Sequence, residues 1–272
     1  MSSSPTIHCI GDSHSSFFSG LDRIQPNWPA TSLDQLLWFK THHIGPALAY
    51  NLTKSGTTIL GRESLLAVIA SKASLDDYIL LSFGEIDCRV HLVKQAHKKT
   101  IHLEAAVDAC LDEYFKVVRE IMALGYKVIV YNITPPRFSK KHRGVDYEKS
   151  EAELVAVGTW EQRQKAATLF NAGAKDRCAK SGAKFIETTH QLIDKHGRLM
   201  PFFLMDNVHL AQRAMPATLV ELARICPELQ IPPQTIARPH QWQLIRDYLS
   251  RRSERCIKEF KKIPRLIGLR SS

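Results

Sequence analysis

The chain has 272 residues, 44% hydrophobic and 24% charged, the make-up of an ordinary globular protein with room for one large α/β domain. No apolar run reaches the length of a membrane-spanning helix, and Met1-Ser2-Ser3-Ser4-Pro5 lacks the basic start and apolar core of a secretory signal, so a cytoplasmic protein is expected. The net charge of +10 is uneven: residues 238–272 hold ten Lys/Arg against three Asp/Glu, a net of +7, so basicity belongs to the tail and not to the whole surface.

In chain order, short β-rich runs alternate with longer helical ones. Strands are predicted over residues 6–10, 36–39, 78–83, 127–133 and 184–187. Ile79-Leu80-Leu81 and Val128-Ile129-Val130 are apolar on successive residues, as in strands covered on both faces. Helices are predicted over 46–52, 63–73, 101–124, 159–181 and 212–225. Gly125 and Gly182 each follow a helical stretch and precede a strand, which suits a C-terminal cap. This order predicts an α/β fold: a three-layer α/β/α, flavodoxin-like architecture around a mostly parallel five-stranded sheet.

Residues 137–158, with Lys140-Lys141-His142-Arg143 inside, read as an excursion over the site or a loop. Two parts are expected: an α/β domain over 1–233 and a basic amphipathic helical extension over 234–272. In the extension Trp242, Ile245, Leu249, Cys256, Phe260 and Ile263 form an apolar stripe. Three roles are open to it: packing on the domain, contact with an anionic membrane surface, or contact with nucleic acid. The near-neutral remainder argues against nucleic acid. The six cysteines are scattered with no CxxC pair and read as reduced, mostly buried thiols. No metal-ligand cluster, P-loop or GxGxxG is present, so no cofactor is expected. The sequence leaves the oligomeric state open.

In open parallel sheets, sites lie beyond the carboxyl ends of the strands. Gly11-Asp12-Ser13, Gly84-Glu85-Ile86-Asp87 and Thr134-Pro135-Pro136 each follow a predicted strand directly. A serine after a strand is often only a turn residue or helix cap. Ser13 becomes a nucleophile only if a base takes its proton. Met205-Asp206-Asn207-Val208-His209 supplies a candidate base, His209, with Asp206 three residues before it to fix its tautomer. Asp206 is equally suited to cap the segment that follows.

With its Gly-Asp-Ser block near the N-terminus and its Asp-x-x-His block near the other end, the chain resembles the SGNH, or GDSL, hydrolase superfamily over roughly residues 5–225. The resemblance implies a serine esterase acting on an O-acyl group, such as acetyl, of a carbohydrate or small molecule. It implies Ser13 as nucleophile, His209 as base and Asp206 as its orienter. For the oxyanion it implies the backbone N–H groups of Ser13 and Gly45. The family's third block usually reads Gly-x-Asn-Asp, but here Gly84-Glu85-Ile86-Asp87-Cys88-Arg89 puts Ile86, which has no side-chain donor, at the Asn position. Arg89 or Asn51 is the candidate substitute. The GEIDCR form resembles a subgroup linked to glycan biosynthesis. Asp12, Glu85, Asp87, Arg89 and Arg137 are taken as candidate substrate-binding residues. Acyl transfer by the same residues, or a non-catalytic binding module, are the alternatives.

Overall fold

The structure, a computed structural model, describes residues 5–138 and 156–231. Within them the chain forms one unit ending at Ile231. The basic extension and the cluster Lys140–Arg143 lie outside the described residues.

Five strands form the sheet: β1 (Ile7–Gly11), β2 (Phe39–His43), β3 (Tyr78–Ser82), β4 (Lys127–Tyr131) and β5 (Lys184–Ile186). Their order is β2-β1-β3-β4-β5 and every pairing is parallel. This is the flavodoxin-like order, whose direction reverses between β1 and β3. The predicted architecture is therefore the observed one, with a sheet that is wholly parallel.

Alternation along the strands explains the layers. Ile10, Ile79, Leu81, Val128 and Val130 face a core shared with α1 (Gly61–Lys72), α3 (Leu103–Ala123) and α4 (Trp160–Ser181). On the other face Phe18 packs against Phe39 and Tyr131, and the Tyr131 hydroxyl meets Thr218 of α6 (Met215–Ile225) at 3.0 Å. Two shorter helices, α2 (Leu92–Lys99) and α5 (Thr189–Leu192), complete the set. Gly125 and Gly182 end α3 and α4 with positive φ, as predicted.

Two predicted elements are corrected. The second strand runs over Phe39–His43, not 36–39. It is an edge strand whose outward positions are Lys40 and His42, so its polar residues do not read as a strand. The helix predicted over 46–52 is only a 3₁₀ turn, Ala49–Asn51. The buried Asp87 carboxylate accepts the backbone N–H groups of Ala49 (2.8 Å) and Tyr50 (3.3 Å), so a side chain from a different part of the chain fixes that turn.

Gly11 sets how tightly β1 meets β3. A Cβ there would lie 2.3 Å from the Ser82 carbonyl oxygen, so only glycine allows the chain to leave the sheet at that point. No described helix is long and apolar enough to cross a membrane.

Candidate active site

Beyond Gly11 the chain turns at once into a 3₁₀ segment, Ser13–Ser19. Asp12 braces this turn: its Oδ1 accepts the N–H of His14 at 2.8 Å, and its carbonyl accepts both the N–H (3.0 Å) and the hydroxyl (2.8 Å) of Ser15. Ser13 is left at the tip, partly exposed, at the switch point of the sheet.

His209 comes from the far end of the chain. Its loop is closed by the Leu204–Leu210 bridge and by Met205 N–H donating to the His209 carbonyl at 2.9 Å. Gln212 ties the loop to the serine turn: its side-chain amide donates to the Phe17 carbonyl (2.7 Å) and its N–H to Asp22 (2.6 Å). These anchors bring His209 Nε2 within 2.8 Å of Ser13 Oγ. His209 Nδ1 lies 2.7 Å from Asp206 Oδ2. Asp206 Oδ1 meanwhile accepts the N–H groups of Val208 (2.7 Å) and His209 (2.8 Å). The carboxylate thus caps the 206–209 turn with one oxygen and meets the imidazole with the other; no helix starts there for it to cap.

Electrostatics fit these distances. Burial lowers the pKa of His209, the neighbouring His14 lowers it further, and Asp206 only partly offsets them, so the ring stands below an ordinary histidine. It is neutral at pH 7, and with Nδ1–H donating to Asp206 the free Nε2 can accept a proton. Burial raises the pKa of Asp206, but the N–H groups of His209 and Val208 and the imidazole bring it below its ordinary value.

Neither the Ser13 N–H nor the Gly45 N–H meets an acceptor among the described residues. Gly45 is buried, has φ +86°, and lies two residues beyond His43, the end of β2 and the partner of Gly11. Two unpaired backbone donors on neighbouring strand ends are what an oxyanion needs.

The remaining expected residues divide. Arg137 is exposed at the rim, where its guanidinium donates to the Asn207 side chain, inside the Asp206–His209 loop. Asp12 and Asp87 are not on the cleft surface: they are 0% and 1% exposed. Asp12 holds the serine turn and Asp87 the 49–51 turn, so both are structural supports and not substrate ligands. Glu85 is buried as well, and Arg89 Nε donates to both of its oxygens at 2.8 and 3.0 Å. Asn51 accepts from Lys54 Nζ at 2.9 Å through its side-chain oxygen. Ile86 is partly buried at the start of a π-helical turn, Asp87–His91.

Sequence reasoning passed over His14. Its ring lies 4.8 Å from that of His209 between centroids, and its Nε2 is 3.1 Å from Glu85 Oε2. The one sequence signal was its place directly after Ser13. Among the described residues no group of three His, Cys, Asp or Glu side chains could hold a metal ion.

No family model and no curated protein matches the chain. Solved structures do. A variant of an acetyl-xylooligosaccharide esterase from Geobacillus stearothermophilus matches with TM-score 0.52 at 14% identity, covering 85% of this chain and 96% of that one. A catalytic mutant of the same esterase, there described as an acetylxylan esterase, gives TM-score 0.52 at 13% identity, covering 88% and 98%. The chain has the fold of this esterase.

Proposed function

We propose that the chain is an SGNH-type serine hydrolase that removes an acyl group, acetyl in the first instance, from the oxygen of a carbohydrate or small molecule. The observation that carries this reading is the continuous line Ser13 Oγ–His209 Nε2–Asp206, at 2.8 and 2.7 Å. A serine within reach of a neutral imidazole, itself held by a carboxylate, is an activated nucleophile.

Ser13 Oγ attacks the ester carbonyl as His209 Nε2 takes the hydroxyl proton. Asp206 keeps the proton on Nδ1 and stabilises the imidazolium. The Ser13 and Gly45 N–H groups receive the oxyanion. The tetrahedral intermediate collapses, the C–O bond to the alcohol breaks, and His209 returns its proton to the leaving oxygen. Water, deprotonated by His209, then attacks the acyl-serine and releases the acid. Arg137, at the rim beside Asn207, is placed to meet the alcohol part of the substrate. Acetyl is favoured by analogy with the Geobacillus acetylxylan esterase that shares the fold.

Ile86 favours a second reading, a binding module on the same scaffold, because it removes one oxyanion donor. A fluorophosphonate probe decides between them. Labelling of the wild type that disappears in Ser13→Ala and His209→Ala supports the hydrolase. A folded wild type that does not label overturns it and leaves the module.

A further inference from the structure

Behind Ser13 lies a buried charged cluster that the mechanism above does not use. His14 Nε2 and Glu85 Oε2 are 3.1 Å apart, with side chains 10% and 11% exposed. Glu85 is held from its other side by Arg89 Nε at 2.8 and 3.0 Å. His14 Nε2 is sealed from solvent and outside hydrogen-bonding geometry toward any described group. Its interaction with Glu85 is thus one of charge and distance. Beside it is a cavity of about 20 Å³, lined in part by Asp12, His14, Glu85 and Asn132, with room for roughly one water molecule.

Burying two ionisable groups beside a half-buried third is costly unless they neutralise one another. Here they do so in a chain, Arg89–Glu85–His14. The end of that chain is a ring against the candidate base: His14 and His209 stand at 4.8 Å with 39° between their planes. We propose that His14 is a positioning residue for His209, an imidazolium anchored by Glu85 and Arg89 that packs the base's ring toward Ser13 and opposes charge on it in the resting enzyme. This rests on the hydrolase reading.

The groups facing His14 account for the direction of the effect. Asp12 on its own turn and Glu85 on the turn after β3 favour its charged form, while Arg89 and burial oppose it; the two carboxylates win, and its pKa is raised. Burial works against the ionised form of Glu85 too, yet His14 and Arg89 pull its pKa down to about 2. Arg163 of α4 lies within the field of both Glu85 and Arg89. Around His209 the balance is His14 against Asp206 and Glu85, with burial adding to the His14 side. A neutral base at working pH is the useful state for proton abstraction. The repulsion is tempered because Glu85 neutralises His14, so His209 still accepts a proton from Ser13 in the reaction.

Two variants separate charge from packing. His14→Phe keeps an aromatic ring and removes the charge; His14→Ala removes both. With 4-nitrophenyl acetate, His14→Phe should move the acidic limb of kcat/KM to higher pH and keep most of the plateau. His14→Ala should show the same shift and lose up to about 10²-fold in kcat, with KM little changed, as a misplaced base would. An acidic limb in His14→Phe that overlays the wild type overturns the proposal. Imidazole NMR of the wild type needs no variant to fold: His14 should titrate above His209, and the reverse order also overturns it. A wild type that neither labels nor hydrolyses would refute the hydrolase reading, while the NMR order would still test the coupling of the two rings.

Discussion

Asp206 and His209 are joined twice: one carboxylate oxygen meets the imidazole Nδ1 at 2.7 Å and the other takes the backbone N–H of the same histidine at 2.8 Å. Loop conformation and ring orientation thus depend on a single side chain. Asp206→Asn keeps an oxygen for the backbone but offers Nδ1 an amide, allowing the wrong tautomer. Turnover should fall on the order of 10³-fold with little change in Tm. Asp206→Ala should lose as much turnover and also lower Tm, because two backbone donors lose their acceptor. Paired kinetics and thermal melts check both.

Ile86 makes a gain-of-function prediction. An oxyanion donor is typically worth about 10²–10³ in rate. If the site works with two backbone donors alone, Ile86→Asn should raise kcat, by about tenfold or more where the amide reaches the carbonyl oxygen. The measurement is kcat on an acetyl ester at saturating substrate. A rate unchanged in a folded variant would mean that the oxyanion lies out of reach of position 86.

Asp12 should leave a pH signature on stability. Burial raises its pKa to about 6, despite the opposing pull of His14. A carboxyl whose native pKa lies above its unfolded value favours folding in its protonated form. That contribution is complete below the unfolded pKa of about 3.9 and disappears as the pH rises through about 6. Asp12→Asn, which keeps an oxygen for the His14 N–H, should flatten the fall in Tm between about pH 4 and pH 7. Melts across that range test it.

Removing the Asp87 carboxylate should loosen the Gly45 side of the site. The carboxylate accepts from Ala49 and Tyr50, and Cys110 Sγ approaches it at 3.6 Å. Asp87→Ala leaves those N–H groups without a partner in the interior, at about 1–3 kcal/mol for a buried donor. Urea unfolding should show that loss. Hydrogen exchange should show the 49–51 turn opening first, with the Ser13 turn unaffected.

The sheet was legible because its inner strands carry the plainest signal. Residues 78–82 and 127–131 are nearly all apolar, which only a doubly covered strand requires. β2 was misplaced because an edge strand exposes alternate residues, and Lys40 and His42 hide its period. α2 was missed since its eight residues are dominated by Lys and His with few apolar positions. Ser13, Asp206 and His209 were legible from their blocks, although 196 residues separate the serine from the histidine. The support roles of Asp12, Glu85 and Asp87 were not legible. A polar run after a strand has the same sequence pattern whether its carboxylates face solvent or tie buried turns together, and burial alone separates the two. The place of His14 depended on where the 209 loop returns, which no local pattern encodes.

Gln212 reaches back to the Phe17 carbonyl across 195 residues of chain. During synthesis the segment of the serine turn is therefore made long before the one that carries His209. On the hydrolase reading, Ser13 would be an ordinary alcohol until residues 204–212 are made and dock. On that reading, an emerging chain would stay inert toward esters until that loop had docked.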